Sequence, residues 1–352
     1  VRIEEVSVMI SNRSISRRGF LAAGGGFVGL LSAVASSGGA AFAASGAGPA
    51  ARPAPGTTTV ALVRTPDRAD GVRRSLALLG VNPVRGKRVL VKPNFNTSDP
   101  TPGSTHNDTL RALLAELKGM GAASLAVGDR SGPEDTEKVL TKKGIPALAA
   151  EFGAGVLNFD GLGPDGYVKV APPGSHWADG FLVARPVVEA EAVVSACCLK
   201  THQYGGIFTM SLKNSVGIVP REGYAYMREL HGSPHQRRMI AEINAAYAPV
   251  LIVLDGVEAF TDGGPMTGTL KTAEVVLAGT DRVAIDAVGL AVLKELGSNA
   301  AIMGTKIFAQ EQIARAVELG LGVDGPERIV IKTADAAGEA YAEKIRTILA
   351  AG

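Results

Sequence analysis

Lys200, His202, Lys213 and Asn214 fall within fifteen positions of one another, in the stretch LKTHQYGGIFTMSLKNSVGIVP from Leu199 to Pro220. Two amines, an imidazole and an amide this close together can clamp an anion, move a proton or ligate a metal. A lysine in a partly desolvated pocket loses its charge more readily, so it can serve as base, nucleophile or anion clamp. The apolar run AVVSACC just before this stretch reads as a buried strand. The reactive groups are therefore delivered at a strand end.

Other strand ends carry similar groups. Lys92-Pro93-Asn94 closes the run RVLVKPNF, Gly128-Asp129-Arg130-Ser131 closes SLAVGDRS, and Asp255-Gly256 closes VLIVL. In open parallel α/β sheets the carboxyl ends of the strands share one edge, and ligands bind in the crevice there. The segment FTMSLKNSVG has helical spacing, which puts Thr209 and Lys213 on one face and presents Lys213 and Asn214 to that crevice. The expected catalytic residues are Lys213, His202 and Lys200. Lys92, Asn94, Asp129, Thr209, Asn214, Asp255 and Glu258 are the expected ligand-binding set.

The segment DGVEAFTDGGPMTG, from Asp255 onward, is expected to be a glycine-rich loop. It matches neither the P-loop nor the dinucleotide fingerprint. Asp255 and Glu258 could coordinate a hard cation there or orient a basic residue, and a tight structural turn is the alternative. Asp286 lies inside an apolar helical pattern and needs a partner, either a basic group or a backbone donor.

There are five histidines. His202 and His231 are the candidate ligands for a divalent metal. His231 and His235 have i, i+4 spacing, but Pro234 sets a helix start between them, with Ser233 as its N-cap. His106 either approaches the same edge or caps the helix from Asn107 onward, and His176 reads as packing. The only cysteines, Cys197 and Cys198, are adjacent in a strand, where a cross-linking disulfide is geometrically disfavoured. With no CxxC, neither an iron–sulfur cluster nor a zinc ribbon is expected.

Strand-like runs alternate with amphipathic helical patterns along the chain. The expected architecture is α/β, a mostly parallel sheet with helices on both faces. Two lobes are an alternative arrangement, and an irregular or antiparallel insertion is expected near residues 156–183. The one domain spans residues 58–350, after a Pro/Gly/Ala tether over residues 44–57. Residues 1–43 read as a twin-arginine export signal: SRRGFL at Ser16–Leu21, a weakly apolar stretch and the small-residue site Ala41–Ala43. Met9 is a candidate start. The expected partner during export is the twin-arginine translocase, with a periplasmic or extracellular destination and no membrane span after signal removal.

Residues 1–43 hold four of the 36 Lys and Arg and two of the 34 Asp and Glu, which leaves 32 of each in the remainder. A neutral chain with no basic stripe argues against nucleic acid as a partner. A small-molecule or metal ligand is expected instead.

The motifs VKPN, GDRSG, LKTH, TMSLKN, LDGVEAFTDGGPMTG and LAGTDRVAIDAVG, in that order, resemble the DUF362 domain family over roughly residues 60–322. Relatives often carry ferredoxin-type cluster modules, which this chain lacks. A more distant resemblance is to the N-terminal domain of the nickel-pincer lactate racemases. Their order of histidine, lysine and histidine is similar to His202, Lys213 and His231, here with gaps of eleven and eighteen. That resemblance implies a cofactor-anchoring role for Lys213 and a nickel-ligating role for His231. Two features depart from it: TMSL stands where that family has a Gly-Gly-Arg turn, and its upstream catalytic histidine falls near Arg130. The resemblance therefore implies shared fold ancestry without a shared cofactor.

The expectation is an exported protein whose Lys/His/Asp crevice holds an anionic small molecule or a metal cofactor and is a candidate catalytic site. The alternative is a non-catalytic metal- or metabolite-binding protein, or an accessory protein of an extracytoplasmic redox complex.

Overall fold

The computed structural model describes residues 56–221 and 223–352. The signal expected over residues 1–43 and most of the tether lie outside the described residues. Among the described residues no helix is long and apolar enough to cross a membrane.

The strands are β1 (Thr58–Arg64), β2 (Arg88–Pro93), β3 (Ser124–Asp129), β4 (Gly155–Asn158), β5 (Tyr167–Val170), β6 (Phe181–Ala184), β7 (Ala192–His202), β8 (Ile207–Thr209), β9 (Pro249–Gly263), β10 (Gly268–Gly279) and β11 (Ile329–Thr333). Nine of them form one sheet, in the order β11-β1-β10-β9-β7-β2-β3-β4, with β8 paired to β7. Pairings are parallel from β9 through β7, β2 and β3 to β4, and again between β1 and β11. Only β10 and β8 run against their neighbours. Alternation along the strands divides the side chains between two cores, as a period of two requires.

One face buries Val91, Val127, Val194, Val253 and Val276 beneath α1 (Arg68–Leu79), α2 (Asn107–Gly119), α3 (Thr136–Lys142) and α4 (Ile145–Ala150). The other buries Leu62, Leu199, Leu254 and Leu277 beneath α9 (Arg282–Glu295) and α12 (Ala336–Ala351). Leu90 and Val193 on that same side pack with residues of α5 (Arg185–Glu189), α7 (Tyr226–Gly232) and α8 (Gln236–Ile243). Among the described residues three further short α-helices are α6 (Ser211–Asn214), α10 (Ala300–Met303) and α11 (Glu311–Glu318). The expected α/β class and two-faced helix cover are present.

Helix starts follow the local chemistry. Asp67, Asp135, Asp281 and Asp335 each accept a backbone N–H from the first turn of their helix, which satisfies donors that otherwise have no intrahelical partner. His106 does the same for α2 through Nδ1, so the capping alternative holds for it.

Two expectations need correction. The expected glycine-rich loop after Asp255 is strand: β9 continues to Gly263, and β10 begins at Gly268 as its antiparallel partner. The β-branched and aromatic residues of VEAFT keep the chain extended. The helical reading of FTMSLKNSVG is too long, because Phe208 and Thr209 belong to β8 and α6 begins at Ser211. The expected antiparallel insertion is present as the separate pair β5 and β6, while residues 155–158 at its start are the edge strand of the main sheet.

Candidate functional site

A cavity of about 690 Å³ lies at the carboxyl edge of β2, β3 and β7. This is an ordinary size for a small-molecule site. Lys92, Asn94, Asp129, Lys200, His202, Thr209, Lys213, Asn214 and His231 all line it. Asp255 and Glu258 do not. Asp255 accepts from Arg68 Nε at 3.0 Å and from Thr109 Oγ1 at 2.6 Å, and Glu258 accepts from Arg68 Nη2 at 2.8 Å. With β9 unbroken, Asp255 is a mid-strand residue that ties the sheet to the amino ends of α1 and α2.

The lining groups differ in how many hydrogen bonds they have left. An ammonium has three donors. Those of Lys92 are all used: Asp129 Oδ1 at 2.6 Å, Pro93 O at 2.7 Å and Asn214 Oδ1 at 3.2 Å. Asn214 Nδ2 donates to Lys92 O and to Ser195 Oγ. Asp129 accepts from the backbone N–H groups of Phe95 and Arg130 as well. Burial pushes Lys92 down and Asp129 up, and the pairing opposes both shifts. This network is saturated, so it binds the strand ends to α6 and has little left for a ligand.

Lys200 is fully buried and uses two donors, on Gly103 O at 2.5 Å and Pro265 O at 3.2 Å. Burial lowers its pKa to about 8. Lys213, only 9% exposed, makes no hydrogen bond or ion pair among the described residues. Burial, then the positive charges of Lys200 and Arg130, bring its pKa down to about 7.

His202 is held neutral by burial and by the nearby charge of Lys213 and Lys200. Its Nδ1 is buried without a partner. A Cβ placed on Gly206 would lie 2.7 Å from Lys213 Cε and 2.9 Å from His202 Nδ1, so glycine there lets the two side chains close in. Next to it Ile207 adopts φ 65°, which for a β-branched residue costs on the order of 1–3 kcal/mol.

The amine is rigidly mounted. Asp286, on α9, accepts from the backbone N–H groups of Ser211 at 2.7 Å and Leu212 at 3.0 Å. The partner expected for this buried carboxylate is thus a pair of backbone donors, and burial still raises its pKa to about 7. Asn244 Nδ2 donates to Leu212 O at 2.9 Å from the other side. Thr209 reaches the cavity from β8, which runs back along β7 and sets Thr209 opposite Lys200.

Several lining residues carried no signal of their own in the sequence. Arg130 is 4% exposed and donates to the carbonyls of Val219, Ser131 and Val216. Burial lowers its pKa to about 10. Its place in GDRSG, one residue past the strand-end Asp129, was the available clue. Asn96 and Arg221 also line the cavity, and Met266 reaches it from the tip of the β9–β10 hairpin. Four lining side-chain atoms are buried without a hydrogen-bond partner: Asn94 Oδ1, Asn96 Nδ2, His202 Nδ1 and Thr209 Oγ1. Buried polar atoms in proteins are ordinarily satisfied, so such a group is what a ligand would complete.

A metal fits this donor set poorly. His202 and His231 both line the cavity, but His231 Nδ1 is engaged with Gln236 Nε2 at 3.0 Å. Among the described residues no group of three His, Cys, Asp or Glu side chains is arranged to hold a metal ion. The lining carboxylate Asp129 is already paired, and the surrounding Lys and Arg side chains repel a cation. His235 does not line the cavity and packs against His176, with ring centroids 4.5 Å apart and planes tilted by 43°.

The family model described as Domain of unknown function (DUF362) matches residues 89–291. The thylakoid-associated protein sll1697 of Synechocystis sp. is 26% identical over 252 residues, covering 70% of this chain and 75% of that protein. Among solved structures, the lactate racemase apoprotein from Thermoanaerobacterium thermosaccharolyticum aligns with a TM-score of 0.43 and 13% identity, over 81% of this chain and 85% of that one. A likeness of that degree carries no argument about chemistry.

Proposed function

The chain belongs to the family described as Domain of unknown function (DUF362), and from that premise we propose that it binds a small organic anion in the cavity at the sheet's carboxyl edge. The charge balance there carries this reading. Lys200, Lys213 and Arg130 are each more than nine-tenths buried, and among the described residues none has a carboxylate in ion-pair contact. Buried charge without a counter-ion costs several kcal/mol, so such a cluster favours an anionic guest.

In this reading Lys200 and Lys213 supply charge, and Asn94, Asn96 and Thr209 orient the ligand. His202 supplies a neutral donor or acceptor beside Lys213. Calorimetric titration with small carboxylates and phosphates tests it. At least one should bind, and Lys200→Met should weaken it roughly ten- to a hundredfold, the worth of a hydrogen bond to a charged group at about 1.5–3 kcal/mol. Binding of divalent cations with no anion bound would overturn the reading.

We also infer export by the twin-arginine pathway, supported by Arg17 and Arg18 ahead of a charge-free Ala/Gly/Ser-rich stretch. Residues 1–57 fused to a reporter should direct it out of the cytoplasm, and Arg17→Lys with Arg18→Lys should retain it. Export of the double variant at the native level would remove this inference.

A further inference from the structure

Lys213 differs from the other two lysines of the cavity in making no hydrogen bond or ion pair among the described residues. Lys92 has spent its three donors and Lys200 two of its three, each on a fixed oxygen. An amine meant only to clamp charge would gain from such anchors. Lys213 instead donates to no carbonyl or carboxylate among the described residues and sits on a four-residue helix held by Asp286 and Asn244. Beside it lies the unpartnered Nδ1 of His202, and Gly206, which has no Cβ, lets the two side chains close in on each other.

A free, immobilised amine next to cationic and amide groups matches a substrate with two features, a carboxylate and an electrophilic carbonyl. We propose that Lys213 forms an imine with the carbonyl carbon of a 2-oxo carboxylate, whose carboxylate is held by Lys200 and by Asn96 Nδ2. This rests on the anion-binding reading above and names its substrate class.

The step balances without any further reactant. The Nζ lone pair of neutral Lys213 adds to the carbonyl carbon, and the carbon–oxygen π pair moves to oxygen. The two N–H protons of the amine end on that oxygen, which leaves as water as the C=N bond closes. His202, packed with Lys213 against Gly206, can relay these protons in concert, accepting one at its uncommitted Nδ1 while giving one up from Nε2, so that no imidazolium is formed on a ring held neutral by burial and neighbouring cations. No oxidation or reduction occurs. Burial and the neighbouring charges keep a substantial neutral fraction of Lys213 near neutral pH, as an amine nucleophile requires.

The test incubates the wild-type chain with pyruvate, glyoxylate or 2-oxoglutarate and cyanoborohydride, followed by intact mass and peptide mapping. One saturable reduced adduct on Lys213 is expected, blocked by excess of a non-carbonyl carboxylate. Lys213→Arg should lose it while retaining the wild-type circular dichroism spectrum. If the oxo acids raise the melting temperature but leave no adduct on Lys213, the imine is overturned while anion binding stands. Adducts confined to other lysines overturn it as well. If there is neither a shift nor an adduct, and no anion binds by calorimetry, both readings fall. The adduct is assigned on the wild-type chain, so the result does not depend on the variant folding.

Discussion

Lys92 Nζ and Asp129 Oδ1 are 2.6 Å apart with both side chains sealed from solvent, and the backbone of Gly217 closes directly over the pair. The contact joins β2 to β3 and, through Asn214, to α6. The floor of the cavity and the mount of its reactive lysine are therefore one network.

Removing one partner strands the other. Asp129→Ala leaves an ammonium buried without its counter-charge and should cost about 3–5 kcal/mol. Pairing it with Lys92→Met should recover much of that loss. Urea unfolding of the two single variants and the double variant measures the coupling, and simple additivity would contradict the network.

At Gly217 a Cβ would meet Asp129 Oδ1 at 2.6 Å and Lys92 Nζ at 2.8 Å. Gly217→Ala should therefore destabilise by about 1–3 kcal/mol through overpacking. Gly119→Ala, in the last turn of α2 with open space around it, should be neutral or stabilising by up to about 1 kcal/mol. Melting curves of both compare contact with intrinsic helix propensity.

The pKa of Lys213, about 7, makes stability depend on pH with a definite sign. Above about 7 the folded chain holds this amine neutral, while the unfolded chain stays protonated to about 10.5, so the unfolded state binds more protons and stability rises with pH across that window. Below about 7 both states are protonated and the cost of burying the charge is felt in full. Lys213→Met should therefore stabilise the protein more at about pH 6 than at about pH 9, as chemical denaturation would record. Anion affinity should fall as pH rises through about 7 in the wild type and lose that step in the variant.

Asp255 belongs to the scaffold. Asp255→Asn weakens its contacts with Arg68 and Thr109 and should lower stability by about 1–3 kcal/mol. Affinity for any anion found in the cavity should stay within about twofold, because the residue does not line it. Calorimetry on the variant checks this, and a large loss of affinity would return Asp255 to the site.

The convergence of Lys92, Asp129, Lys200 and His202 was legible because each closes a β-branched run, and parallel strands must end at one edge. The same rule misled at Asp255, where an extended, aromatic continuation and an antiparallel return carry the strand eight residues further. Thr209 and Lys213 share the cavity as expected, for a different reason: a hairpin turn and a four-residue helix do what one longer helix was expected to do.

By itself the sequence determined the class of the fold, the strand ends that bear polar groups and the residue types available for chemistry, because periodicity and capping are local properties. Which lysine is spent and which is free was decided only by the tertiary structure. Lys92, Lys200 and Lys213 look alike along the chain. Their difference lies in oxygens supplied from Asp129, Gly103 and Pro265, residues remote in sequence that only packing brings within hydrogen-bond reach.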